Sequence, residues 1–173
     1  MAATYERIAS VTINSATSVV TFSSIPSTYT DLVLTGGWFR VTTNGNNLGM
    51  RLNSDTGNNY SANYMEGDGT SVATGGGFGN ANYARVAAIA GGFTSSATQS
   101  LPITMQFNDY FNTQIRKTIV TRYGQASAVT GISCSVWLST SAINAIELSA
   151  YSPGTGEFGA GSILTLYGIK AGS

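Results

Sequence analysis

Glu66 and Asp68, in "MEGDGT", are the only two carboxylates that lie close together in this sequence. A pair of carboxylates is the minimum equipment for hydrolysing a glycosidic bond, one serving as acid and the other as base or nucleophile. This pair sits at the edge of a Gly-rich stretch, where a solvated turn is the better reading. The chain contains no His. That removes the commonest general base, the commonest metal ligand and the usual partner of a nucleophilic Ser or Cys. Asp55, Asn58 and Asn59, in "RLNSDTGNNY", could join Glu66 and Asp68 around a calcium ion if their segments were neighbours. Their spacing fits no calcium loop, and Asp and Asn are common turn formers. No cofactor and no metal are expected.

Two other chemistries fare no better. The densest basic stretch is "IRKTIVTR". On a strand, Arg116 and Arg122 share one face while Lys117 points the other way, so no basic stripe forms and nucleic acid is not an expected partner. "GGGFGNAN" lacks the following Lys and the helix pattern of a phosphate-binding loop. Cys134 is the only cysteine, which excludes an intrachain disulfide. Within the apolar run "GISCSVWL" it reads as a small buried side chain.

Aromatic rings remain as a means of contact, since exposed rings stack on sugars. Trp38 and Trp137 fall inside strand-like runs and read as core. Tyr60, Tyr64, Phe78 and Tyr83, with Asn80, cluster around the Gly-rich stretch and form the candidate partner-contact loop.

The elements that must position these residues follow a period of two almost throughout. In "YERIASVTI", Tyr5, Arg7, Ala9, Val11 and Ile13 fall on one face. "DLVLTGGWFR" is apolar on both faces, as in a strand covered on both sides. Asn44-Gly45 suits a type I′ turn, so "VTTNGNNLGMRLN" reads as a β-hairpin. "SVVTF", "YSANYM", "LPITMQF", "IRKTIVTR", "GISCSVWL", "IELSAY" and "SILTLYGIK" are further strand candidates. "ARVAAIA" and "STSAINA" could each be a short helical turn. The last strand is apolar on both faces, which places it inside a sheet. Residues 67–82, "GDGTSVATGGGFGNAN", read as one long exposed loop. Eight to eleven strands at such spacing predict an all-β fold, a single antiparallel two-sheet sandwich of the jelly-roll kind over residues 1–173, with an up-and-down barrel as the alternative.

Charged residues make up only 9% of the 173 residues, against about 25% in ordinary soluble domains. The formal net charge is zero, while 42% of the chain is hydrophobic. Such a surface offers little repulsion between copies and suits a protein covered by partners. "MAATYERIAS" lacks the basic and apolar regions of a signal peptide, and no apolar run is long enough to span a bilayer, so no membrane partner is expected.

"VTFSSIPSTYTDLVL" and "FGAGSILTLYGIKAG", with "RLNSDTGNNYSANYM" and "VWLSTSAINAIELSA" between them, resemble a group of small virion structural proteins of tailed bacteriophages, common among phages of aquatic bacteria and cyanobacteria. The likeness spans most of the chain in order and departs at residues 67–82. It implies a non-enzymatic sandwich protein that oligomerises, commonly as a trimer, on the virion. Such a protein is made in the host cytoplasm. A capsid decoration, or cement, protein bound to the major capsid protein is the first expectation. A tail-fibre or tail-spike component touching host glycans is the second.

Overall fold

The computed structural model describes residues 5–36, 47–88, 101–125, 129–151 and 157–170; the side chains of 77–80, 88, 150 and 151 are left aside. Twelve strands form among them, and no helix. They are β1 (Tyr5–Thr12), β2 (Val19–Phe22), β3 (Asp31–Gly36), β4 (Asn47–Leu52), β5 (Tyr60–Gly67) and β6 (Val72–Ala81). The second half supplies β7 (Ala84–Ala88), β8 (Ile103–Phe107), β9 (Lys117–Gln125), β10 (Val129–Trp137), β11 (Ile146–Tyr151) and β12 (Ile163–Ile169). All pairings are antiparallel. One sheet runs β1-β12-β3-β8-β9-β10-β5-β6 and the other β2-β11-β4-β7. The fold is therefore the expected antiparallel two-sheet sandwich.

Alternation explains the packing. Val20, Phe22, Leu48, Met50, Leu52, Ile146 and Leu148 from the small sheet meet Leu32, Leu34, Met105, Phe107, Leu164 and Leu166 from the large one. Full burial of each such side chain stabilises the fold by roughly 1.5–3 kcal/mol. β12 lies between β1 and β3, inside the sheet as expected, with Leu164 and Leu166 buried and the Ile163 face partly exposed. β3 buries Leu32 and Leu34 on one face and Val33 on the other.

Several expectations are corrected. A bulge between Arg7 and Ala9 flips the alternation of β1. Tyr5 and Arg7 therefore oppose Ile169 and Tyr167 on the outer face, whereas Ala9 and Val11 oppose the buried Leu166 and Leu164. The hairpin around Asn44-Gly45 has its turn and first arm outside the described residues. Its second arm is β4, which is flanked by β11 and β7.

Cys134 is exposed, because β10 turns Ser133, Ser135 and Trp137 inward and Cys134 outward. "ARVAA" pairs with β4 as strand β7. Ser139–Ala145 forms no helical turn. Asn53, at φ 53°, holds it irregular by accepting from the N–H groups of Asn144 and Ala145 and donating to the Ala142 carbonyl.

The largest correction concerns residues 67–82. The expected loop is a tight turn over Asp68–Ser71 followed by the ten-residue strand β6. Glycine contributes no side chain to a sheet, but it retains its N–H and C=O, and β5 pairs with them from Val72 to Gly77. Tyr64 supplies the missing cover by leaning across Gly75, where an added Cβ would fall 2.5 Å from its hydroxyl. Tyr123 covers Gly131 and Tyr29 covers Gly168 in the same way.

Candidate contact surface

Directly opposed residues form rows across the large sheet, and the rows change character midway. One inward row reads Ala9, Leu166, Leu34, Met105, Thr121, Ser133, Tyr64 and Gly75 from β1 to β6. The first four are apolar; the rest are hydroxyl-bearing or Gly. The next row ends in Tyr123, Gly131, Glu66 and Ala73. Among the described strands, β7 covers this polar wing, packing on β10, β5 and β9.

The side chains of the wing bind one another. Tyr123 Oη donates to Glu66 Oε2 at 2.8 Å across Gly131, and Arg85 Nη2 approaches the same oxygen at 3.7 Å. The Arg85 guanidinium carbon lies 3.5 Å from the centre of the Tyr64 ring, a cation–π contact. Ser133 and Ser135 hydroxyls both donate to the Arg85 carbonyl, at 3.0 and 3.3 Å, satisfying the outer edge of β7. Arg85 Nε, Thr121 Oγ1 and Gln125 Oε1 are buried without a hydrogen-bond partner among the described residues. A cavity of about 280 Å³ opens beside Tyr64, Gly76, Tyr83 and Arg85.

The candidate contact residues separate. Tyr60 is fully buried. Its hydroxyl accepts from Leu52 N–H at 3.0 Å and faces the Leu52 and Asp55 carbonyls, so it fastens a corner of the core and offers no ring to a partner. Burial, opposed by the hydrogen bond to Leu52, pushes its hydroxyl pKa up to about 12. Tyr64 is half-buried, lying beneath Arg85 and against Gly75. Tyr83 is half-buried at the small cavity. Phe78 and Asn80 lie on β6, and their side chains are outside the described residues. Trp137 is core, as expected, and Trp38 is outside the described residues.

The acids likewise do structural work. Burial tends to raise the Asp55 carboxyl, but donors from Trp137, Asn59 and Gly57 outweigh it and hold the group below its usual range. Asp68 accepts the N–H and hydroxyl groups of both Thr70 and Ser71, and the Ser71 and Thr70 backbone donors in particular hold it far below the usual carboxylate range. Asp55 and Asp68 sit at opposite ends of β5, roughly 25 Å apart along an eight-residue strand. No group of three His, Cys, Asp or Glu among the described residues could hold a metal ion. Lys117 and Arg122 point to opposite faces of β9. Lys117 is buried, with its ammonium on the Asn112, Ile115 and Thr140 carbonyls.

What sequence reasoning missed is the opposite face of the wing. There Ile132 opposes Met65 and, one row on, Thr130, Gly67 and Val72 are opposed. Met65, Val72 and Ile132 are 54%, 71% and 40% exposed, forming a contiguous apolar patch with Arg122 at its border. Alternation in "YSANYMEG" and "GISCSVW" could have located it, had the inward positions been recognised as Ser and Tyr. No protein-family model matches this chain, and no curated protein is significantly similar to it.

Proposed function

We propose that this is a non-enzymatic structural protein of a tailed-bacteriophage virion, most simply a decoration protein that binds the major capsid protein and stabilises the head. The observation that carries the reading is a surface built for adhesion. Eight acidic and eight basic residues serve the whole chain, and many are occupied internally. Glu6 pairs with Lys170, Arg51 with Glu147 and Arg85 with Glu66; Asp55 and Asp68 hold turns; Lys117 is buried. The outer face of the wing meanwhile presents Met65, Val72 and Ile132 to solvent. An apolar patch on a nearly uncharged surface favours contact with other proteins. Self-association, as a trimer, and symmetric repetition on a shell would multiply contacts that are weak singly.

The resemblance of the end segments to phage virion proteins supports the same role. A tail-fibre role with host-glycan contact is the second reading. It drew on exposed rings near β6, and Tyr60 in the core and Tyr64 beneath Arg85 leave it fewer of them.

Quantifying the protein in purified virions, with antibody labelling under the electron microscope, tests the proposal. Hundreds of copies on the head support it. A few copies at the tail tip favour the second reading, and absence from the particle overturns both. Glu66→Ala with Asp68→Ala should leave every measured property of the virion intact except local stability; loss of a hydrolytic activity would reverse the non-enzymatic assignment.

A further inference from the structure

Sheet edges decide what a β-protein can join, because their backbone groups seek partners. The two sheets end in β1 and β6, and in β2 and β7. Three of these strands are guarded. β1 carries Glu6 and Arg7 and the bulge beside them. β2 is four residues long. β7 has its Arg85 carbonyl taken by two serine hydroxyls. β6 has none of these devices in its first six residues. It carries neither charge nor Pro over its whole length, and it pairs only with β5 among the described residues. From Val72 to Gly77 it pairs regularly, and Val72, Ala73 and Thr74 are exposed. Every second residue of this run turns its N–H and C=O away from β5.

We propose that the β6 edges of two copies of this chain pair antiparallel across a twofold axis, joining two eight-stranded sheets into one. A second copy suits this edge for two physical reasons. An antiparallel strand pair related by a twofold is self-complementary, so every outward donor finds an acceptor on its mate. A strand without charges also meets no like charge when it faces itself, whereas a charged peptide would find nothing to neutralise it. The pairing further draws Val72 and the neighbouring Met65 of each copy towards the axis, so the apolar patch becomes continuous across it. The inference does not rest on a virion role, since it concerns the chain in solution. Within an assembly of trimers it would supply the contact between neighbours.

Thr74 lies on the outer face near the middle of the regular run, opposite Met65, so a charge there sits close to the axis. Sedimentation equilibrium on the full chain, as wild type, Thr74→Lys and Thr74→Glu, tests the pairing. The wild type should associate in pairs, and each variant alone should associate about tenfold more weakly or less still, from like-charge repulsion at the axis. An equimolar mixture of the two variants should restore association as mixed pairs. That restoration requires both variants to be folded, which separates repulsion from misfolding. The proposal is overturned if the wild type stays monomeric into the high micromolar range. It is equally overturned if Thr74→Lys associates as tightly as the wild type, or if the mixed variants remain apart. Virion labelling decides the functional proposal separately, so either can fail alone.

Discussion

The two halves of the large sheet solve the same burial problem differently. Under the small sheet, Leu34, Leu166, Met105 and Phe107 exclude water by bulk. In the wing, Ser133, Ser135, Thr121, Tyr64 and Glu66 occupy the equivalent inward positions. There, hydrogen bonds, a cation–π contact and tyrosines laid over glycines replace apolar filling. The difference teaches that inward-facing does not mean apolar when the covering element is an edge strand with backbone groups to satisfy. Among the described strands β7 is an edge, and serines are side chains that can satisfy its outward carbonyl.

The sharpest way to separate the halves is to delete bulk from the first. Leu34→Ala should cost about 2–5 kcal/mol in urea unfolding, from lost transfer energy plus a cavity. The corresponding change in the same row of the wing, Ser133→Ala, should cost about 1 kcal/mol or less, since Ser135 still donates to the Arg85 carbonyl. A comparable loss at both sites would erase the distinction.

Tyr60 lies on a strand of the wing but at the corner of the core, fully buried, so Tyr60→Phe should cost about 1–3 kcal/mol by leaving the Leu52 and Asp55 backbone groups without their partner. Its titration gives a second readout. The folded pKa, about 12, exceeds the ordinary value of 10. The unfolded chain therefore loses this proton first, and the stabilisation is complete below about pH 10 and falls as pH rises towards 12. Tyr60→Phe should flatten that alkaline decline in thermal melts.

Next in size is the serine pair. Ser133→Ala with Ser135→Ala should destabilise by more than the sum of the single changes, because only the double variant strands the Arg85 carbonyl. An additive double-mutant cycle would show that the edge is satisfied by other means. The smallest effect is expected at the exposed turn before β6. The Asp68 carboxyl is lowered by its donors, so its contribution is present above the ordinary carboxylate range and is lost as pH falls below it, through the folded value. The protection of the Thr70 and Ser71 N–H groups, taken relative to the intrinsic exchange rate at each pH, should fall on acidification in the wild type and be absent throughout in Asp68→Ala.

Much of this architecture is legible in the sequence, because alternation is a local property and strands announce themselves by it. β12 could be placed inside a sheet from Leu164, Leu166, Tyr167 and Ile169 alone. Partnership is not local. Of the ten pairings among the described strands, only β5–β6, β8–β9 and β9–β10 join consecutive ones, and no short-range pattern reveals that β4 lies between β11 and β7. The β1 bulge hides because one extra residue reverses every face after it. "GGGFG" suggested a loop because glycine favours no regular structure by itself; its strand exists because Tyr64 and the backbone of β5 impose it. Tyr60 resembled a contact residue because nothing in its neighbours reveals that its hydroxyl reaches back to Leu52. The apolar patch hides for the converse reason: Val72 falls in the stretch expected to be a loop, and nothing local shows that Met65 and Ile132 face outward.

β12 fills the slot between β1 and β3, with Tyr5 opposite Ile169. A chain lacking this strand would leave β1 without a partner among the described strands and one flank of β3 open. β1 cannot join the large sheet until the segment from Ile163 onward is in place. A chain truncated just before Ile163 should therefore be found in the insoluble fraction even though eleven of the twelve described strands are present.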